Sequence, residues 1–476
     1  MSLVASPRLQ PWRRLHVTSA QRLFAWVYFL LSIPLACGQS ATASFAMGSV
    51  PSGQASSAPL SLSLETSIEM ALRNNLAILE SSANHRVSRG QRLIALSSML
   101  PSVNAGVTEH VIQENLVTYG IHIPGVSPMQ GPYQYEDVRG SYSQTLLSAA
   151  SFQRLRSAKN AEEAASLSVT DAQEIIVLTT GVSYLAIIQA ESHVQASTAQ
   201  VANAEALYQQ ALNALNAGTG ARIDVTRTEV QLETEQYNLR SAKNALDIAK
   251  LTLARIIGLP AGQDFDLSDA CQLVDQSTPT LETLLKQATA ARADLASEER
   301  AVRAAGRSLA AVKDQRLPEL NTAADYGANG TTFGRSHGTF DFQVGINVPV
   351  FTGGRIKGEI EEAKATLAQR QAEFANMAAQ IDFEVRSAYL NLNASGDQIK
   401  VARHNVELAG ENLLRSRNRF ENGVADSVEV VQAEQSLAAA NDQLISSTYS
   451  LNAAKLNLAR ATGSVRTDWK FLLGGK

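Results

Sequence analysis

The chain of 476 residues is written twice. Slid by 217 positions, LET at Leu64 falls on LET at Leu281, and LPSVN (Leu100 to Asn104) falls on LPELN (Leu317 to Asn321). Slid by 205, Ala158-Lys159 falls on Ala363-Lys364, Tyr184-Leu185 on Tyr389-Leu390, and Gly218 on Gly423. The same register sets AKLTLARIIG (249–258) on AKLNLARATG (454–463). Repetition constrains architecture before local propensity does, because each unit must bury its apolar face against a neighbour of like kind. The registers of 217 and 205 differ by 12 residues, so the surplus lies between Asn104 and Ala158, where the first half carries YGIHIPGVSPMQGPYQY (119–135). A duplicated unit with one longer loop is the simplest account.

Each unit opens with a helical pattern. Leu64 to about Met99 spaces its apolar residues by three and four, and Pro101 closes it. Past the proline the period changes to two. Val103, Ala105, Val107 and Val111 alternate with Asn104, Gly106, Thr108 and His110, and residues 138–146 alternate more weakly. In the second unit Leu320, Thr322, Ala324 and Tyr326 oppose Asn321, Ala323, Asp325 and Gly327. The clearest case sets Phe340, Phe342, Val344, Ile346, Val348 and Val350 against Asp341, Gln343, Gly345, Asn347 and Pro349. A strand of about 11 residues with one apolar face suits a tilted membrane strand. A half-buried strand of a soluble sheet alternates in the same way.

After each hairpin comes a helical stretch of unusual length. Residues 149–217 and 354–421 contain no proline and are dense in Ala, Gln, Glu, Leu and Asn. At 1.5 Å per residue either extends on the order of 100 Å. Each stops at a glycine, Gly218 or Gly423, and is followed by a second helix ending at Gly258 or Gly463. That is an antiparallel helical hairpin whose small side chains allow close packing. Aromatics are only 6% of the chain, with three Trp, which suits Ala-rich helices better than a large aromatic core.

A net charge of −4 argues against a nucleic-acid binder, which carries a basic field. Two cysteines, Cys37 and Cys271, exclude a disulfide framework and a multi-cysteine metal site. Beyond the N-terminus no window holds 18 uninterrupted apolar residues. That rules out a helical membrane protein and leaves a β-barrel open, since its strands average out in such a scan. At the N-terminus Arg13, Arg14 and Arg22 precede the apolar run LFAWVYFLLSIPLA (23–36), and small residues follow. This order describes a secretory signal. Two endings compete: cleavage at Ala41-Thr42-Ala43, or lipidation of Cys37, where Pro34 stands in place of the usual lipobox Leu. The expected organisation is therefore a signal peptide (1–46), a linker (47–59) and a first repeat (60–258) with its β-hairpin at 102–147. A second linker (259–280), a second repeat (281–463) with its hairpin at 319–350, and a C-terminal tail (464–476) follow.

Four strands per chain are too few to close a barrel, for which about eight are needed. An open sheet with an apolar outer face has unpaired edges that hydrocarbon does not tolerate. Other copies must therefore complete it. The inference is a homo-oligomeric tube with strands in lipid, helices beneath, and a polar lumen.

The duplicated order of helix, LPxxN, strand hairpin, long helix with a Tyr-Leu pair, glycine tip and helix ending in LAR-x-x-G resembles the TolC-type outer-membrane efflux protein family. So does VPVFTGGR (348–355), and the likeness covers about 60–464. The resemblance implies an α+β membrane protein, a homotrimer whose twelve strands make one outer-membrane β-barrel continued by a long periplasmic α-helical barrel. It also implies outer-membrane lipid around the barrel, with a periplasmic adaptor (membrane fusion) protein and an inner-membrane pump of RND, ABC or MFS type as partners. The function implied is a passive exit duct for drugs, other small molecules, metals or proteins in efflux or type I secretion. The location implied is the outer membrane of a Gram-negative-type bacterium.

Six positions after each tip glycine lies a carboxylate, Asp224 or Glu429. In the family such acids face the lumen at the periplasmic constriction, so threefold symmetry would make a ring of six. Crowded carboxylates raise one another's pKa and attract cations. An acid in a first helical turn also suits the helix dipole, and both readings stand. Where the family prototype has a further acid, this chain has Gln432, and the aromatic before the second tip is Phe420 rather than Tyr. Arg415, Arg417 and Arg419 either pair with the ring or line a solvated face. The tips Gly218-Thr219 and Gly423-Val424 match the family's adaptor-docking turns, and chain reversal needs glycine there in any case.

No enzyme is expected. The seven His are scattered, no pair has ligand spacing, and no phosphate loop or nucleophile elbow occurs. Neither a cofactor site nor a metal site is expected. The rival classes are a periplasmic adaptor, normally with a single helical hairpin, and a coiled-coil surface protein without membrane-length strands.

Overall fold

The computed structural model describes residues 48–56, 58–269, 279–422, 424 and 427–472. The signal segment, Cys37, Cys271 and the tip residue Gly423 lie outside the described residues. The first unit runs β1 (Leu60–Leu62), α1 (Leu64–Asn74), α2 (Leu76–Ser97), β2 (Ser102–Asn115), β3 (Met129–Leu147), α3 (Ala149–Asn216) and α4 (Arg222–Ile257). The second runs β4 (Phe265–Leu267), α5 (Leu281–Ala291), α6 (Ala293–Asp314), β5 (Glu319–Gly330), β6 (His337–Asn347), α7 (Arg355–Glu421), α8 (Ser427–Ala461) and a last helix α9 (Val465–Leu472).

The opening helix of each unit is broken where the apolar pattern reads as continuous. Asn75 is extended (φ −69°, ψ 132°), and Arg292, its equivalent in the 217 register, is too (φ −67°, ψ 120°). The break survives in the first unit because Asn75 Oδ1 accepts from the Ala77 N–H at 2.9 Å and so caps the next helix. The Leu76 N–H donates to Gly48 O at 3.0 Å. Apolar spacing continues across the break, which is why periodicity does not reveal it. β1 and β4 also pair in parallel, Leu60 with Phe265 through Leu62 with Leu267, which ties the start of the first repeat to the segment that reads as the second linker.

Strands β2, β3, β5 and β6 form one antiparallel sheet in the order β2-β3-β5-β6. Its register gathers the alternation of four separate strands onto common faces. Val103, Val107, Val138, Tyr142, Ala324, Tyr326, Phe340, Phe342, Val344 and Ile346 share one side. Most of these are open to the surroundings, with Phe340 79% and Ile346 70% exposed. The opposite side carries Asn104, Thr108, Asp137, Arg139, Ser141, Asp325, Thr339 and Asp341. There Arg139 pairs with Asp137 and Asp325 and donates to Thr339 Oγ1 at 3.2 Å. Gly327 lies across from it, and a Cβ at Gly327 would meet Val138 O at 2.5 Å and Arg139 Cα at 2.9 Å. Among the described residues β2 and β6 are the free edges of this sheet.

The helices α3 (68 residues) and α7 (67 residues) are the long members of two hairpins, returned by α4 and α8. A stretch of α3 is apolar enough, by length and composition, to cross a membrane. Packing accounts for it: Ile176, Val177, Tyr184, Leu185 and Ile187 are core against Leu62, Ile68, Leu253, Ile256 and Leu456. At Gly181 a Cβ would sit 2.9 Å from Leu456 Cδ1, so α3 and α8 approach through a residue without a side chain.

The second break is a charge hub. Arg292, 3% exposed at its side chain, binds Asp294 and, at 2.5 Å, Glu384 of α7. Arg460 of α8 binds Asp171 and, at 3.2 Å, Glu174 of α3. Burial pushes the Asp171 and Glu174 carboxyls up from their ordinary values, against the pull of Arg460. Burial also opposes ionisation of Asp294, but the hydrogen bond and charge of Arg292, the charge of Arg460 and the Leu295 N–H together outweigh it and hold that carboxyl low. Removing one partner of a buried pair leaves the other charge uncompensated. Arg460→Met is therefore expected to destabilise the helical region by about 3–5 kcal/mol, read from its denaturant midpoint by far-UV circular dichroism. A midpoint equal to wild type would contradict the hub's role.

Candidate functional site at the helical tips

The first tip is built by backbone geometry. Gly218 is left-handed (φ 76°), and the N–H groups of Thr219 and Gly220 both donate to Ala214 O, at 3.0 and 2.9 Å. These bonds satisfy a terminal carbonyl and reverse the chain into α4. At Gly220 a Cβ would meet Leu215 N at 2.9 Å and Ala214 C at 3.0 Å, so the turn closes too tightly for a side chain. At the second tip the Val424 N–H donates to Arg419 O at 2.9 Å, and Val424 is 68% exposed.

Both tip acids stand in the first turn of their helices, Asp224 in α4 and Glu429 in α8. Each meets a cation of its own hairpin. Asp224 Oδ1 accepts from Arg227 Nη1 at 3.2 Å. Glu429 Oε1 lies 3.3 Å from Arg419 Nε and accepts from Ser416 Oγ at 3.3 Å. Arg417 turns elsewhere, to Glu434 Oε1 at 2.7 Å, and Arg415 pairs with Glu411 along the exposed face of α7. Phe420 packs with Leu413, Val430 and Ala433, and Gln432 is exposed. Of the sequence candidates, the structure thus brings Arg419 to Glu429 within one chain, while Arg417 meets an acid that the sequence reading passed over.

That acid belongs to a buried polar seam between the hairpins. A cavity of about 100 Å³ is lined by Gln200 and Asn203 of α3, Gln231 and Glu235 of α4, and Glu434 and Asn441 of α8. Glu235 Oε1 accepts from Gln231 Nε2 at 2.6 Å, and its Oε2 accepts from Asn238 Nδ2 at 3.2 Å. Gln435 Nε2 donates to Gln231 Oε1 at 3.1 Å, which links α8 to α4. Burial pushes the Glu434 carboxyl up, the bond from Arg417 pulls it down, and the charge of Glu235 adds to the rise. The signal was present in the sequence: Glu235 follows buried Val225 and Thr228 at helical spacing, and Glu434 falls between Val430 and Leu437 on α8. Carboxylates at core positions mark a polar interior. Among the described residues no three His, Cys, Asp or Glu side chains are grouped to hold a metal ion.

Comparison with known proteins agrees with this architecture. A family model described as "Outer membrane efflux protein" matches residues 67–259 and 284–464, one segment in each repeat. The chain is 25% identical over 260 residues to the outer membrane efflux protein BepC of Brucella suis biovar 1, covering 53% of this chain and 56% of that protein. It is 24% identical over 419 residues to the probable efflux pump outer membrane protein SepC of Pseudomonas putida, covering 83% and 82%. Among solved structures, the open state of the Neisseria gonorrhoeae MtrE outer membrane channel superposes with a TM-score of 0.72 at 18% identity, covering 90% of this chain and 97% of that one.

Because the Glu434 carboxyl is raised in the folded protein, its neutral form favours folding. That contribution is whole below the ordinary glutamate value of 4.5 and is lost as pH rises through the elevated one. Arg417→Ala removes the group that lets Glu434 ionise in place, so the lost stability is expected to be larger at pH 8 than at pH 5. Thermal melts of both proteins at the two pH values check this; an equal loss at both would contradict the assignment.

Proposed function

The chain belongs to the outer membrane efflux protein family, and from that membership and the sheet geometry we propose that three copies close into one channel. Each copy supplies four strands to a twelve-stranded barrel, with edge β2 of one copy pairing with edge β6 of the next. The observation that carries this reading is the sheet itself: below Glu109 and Glu136 one face is predominantly apolar, the opposite face is polar, and β2 and β6 are its edges. In hydrocarbon the apolar face meets lipid, but an unpaired backbone edge costs several kcal/mol per group, so closure with sister chains is obligatory. The polar face then lines a water-filled lumen, and α3, α4, α7 and α8 prolong its wall into the periplasm.

On this reading the protein is a passive duct and not an enzyme. An inner-membrane pump, through a periplasmic adaptor, delivers substrates to its lower end, and the tips around Gly218, Thr219, Gly423 and Val424 receive the adaptor. Asp224 and Glu429 from three chains form a ring of carboxylates at the lower constriction, which attracts cations. Arg227 and Arg419 hold part of that charge in place. The adaptor alternative does not account for the duplication or the sheet, and the surface-protein alternative lacks a place for the four strands.

Two measurements test the proposal. Val344→Arg puts a charge on the lipid side near the middle of β6, where a cationic residue costs about 2–4 kcal/mol. It is expected to abolish the heat-modifiable trimer in the outer-membrane fraction, while Gln343→Arg on the lumen side retains it; equal yields would refute the assignment of faces. In planar bilayers the double variant Asp224→Asn/Glu429→Gln is expected to change single-channel conductance and weaken block by divalent cations. Currents identical to wild type would remove the carboxylate ring.

A further inference from the structure

The first hairpin outgrows the second. β3 pairs with β5 only up to Glu136 with Gly330, and β5 pairs with β6 only up to Asn329 with His337. Beyond that level β2 and β3 continue together, from His110 with Tyr135 to Asn115 with Met129, and end in the turn and loop 116–128. The projecting part is a two-stranded ribbon roughly 20 Å long at 3.3 Å per residue.

Polarity changes sides at the base of this ribbon. Below it, the side that carries Val103, Val107, Val138, Tyr326 and Phe340 is the apolar one. At Glu109 with Glu136 that same side turns acidic, and Gln134 follows beside Val111. The other side, which below carries Thr108, Asp137 and Arg139, now presents His110 with Tyr135 and Ile112 with Tyr133. His110 and Tyr135 stack with ring centroids 4.7 Å apart, and Tyr133 is 40% exposed. The tip adds Val117, Tyr119, Ile121, Ile123 and Val126, all exposed. Apolar and aromatic groups therefore face inward above a polar lumen, with Glu114 bonded to Tyr133 among them, and Glu109 and Glu136 face outward above an apolar lipid band.

We infer that the three ribbons lean over the outer mouth and pack their inner faces and tips against one another, capping the exit. This rests on the trimeric barrel proposed above. The partner is a second copy of the same segment, because threefold closure carries each inward apolar face toward its two equivalents. The acidic outer side keeps the ribbon out of the acyl layer. Twelve strands spaced about 4.8 Å apart and tilted about 40° give a barrel with a backbone radius on the order of 12 Å. A ribbon of this length reaches the axis. The join is small and consists of side chains, so cargo driven from below can displace it. The 12 surplus residues of the first repeat, the difference between the 217 and 205 registers, lie in this hairpin.

The test uses intact cells carrying the full chain with Cys271→Ser and a lumen cysteine, Gln343→Cys, exposed to a bulky membrane-impermeant maleimide added outside. A second chain replaces residues 110–135 with Asn-Gly, a two-residue turn that suits a hairpin between Glu109 and Glu136. Labelling is expected to be severalfold faster in the shortened chain. Equal labelling of both refutes the cap and leaves the barrel standing, whereas no labelling of either, with no trimer on the gel, refutes both. In the full-length ribbon with Cys271→Ser, single cysteines Tyr119→Cys, Ile121→Cys and Ile123→Cys are expected to give oxidant-induced dimers, and Gln134→Cys is not. Such a bond needs Cα atoms within about 7 Å. Intact trimers without cross-links at all three tip positions would overturn the inference, as would cross-linking of the tips to another protein instead.

Discussion

An antiparallel sheet that is apolar on one side and unpaired at both edges cannot be a finished structure in lipid. Water would satisfy the edge groups of β2 and β6, but it would also face Phe340, Phe342, Val344 and Ile346. Hydrocarbon accepts those side chains and rejects the bare edges. Closing the sheet with sister chains satisfies both demands. The polar lumen follows from closure, and the trimer proposed above supplies the closing copies.

That wall is made rigid by means that leave few large side chains in it. Small residues such as Gly181 let α3 and α8 approach closely. Where the two opening helices break, at Asn75 and Arg292, the duplicated fold uses different chemistry at equivalent points. Asn75 caps a helix, whereas Arg292 gathers Asp294 and Glu384 beside the Arg460 cluster. Duplication preserves geometry, and each half then fills that geometry in its own way.

The two ends of the tube are built on different physics. At the periplasmic tips the contacts are charged: Asp224 with Arg227, Glu429 with Arg419, and, deeper in, Arg417 with Glu434 beside Glu235. Such contacts respond to ionic strength, pH and docking partners. At the outer end the contacts inferred above are aromatic and aliphatic.

Much of this architecture is legible in the residues because it depends on periodicity. The step from a spacing of three and four to a spacing of two after Pro101 marks the strands, and glycines at 218 and 258 mark the helix ends. The alternation of Phe340 to Ile346 likewise announces a two-faced strand. Three things were not legible. The breaks at Asn75 and Arg292 leave the apolar spacing intact. Strands β1 and β4, three residues each, are too short to show a period and exist only because the chain brings them together across some 200 residues. The choice of partner for each arginine, Arg417 with Glu434 and Arg419 with Glu429, depends on which face of α8 meets α7. Local spacing records how a segment meets its own neighbours in sequence. Which charges share a buried seam depends on the rotation of one helix against another, and that rotation is set by the packing of the whole bundle.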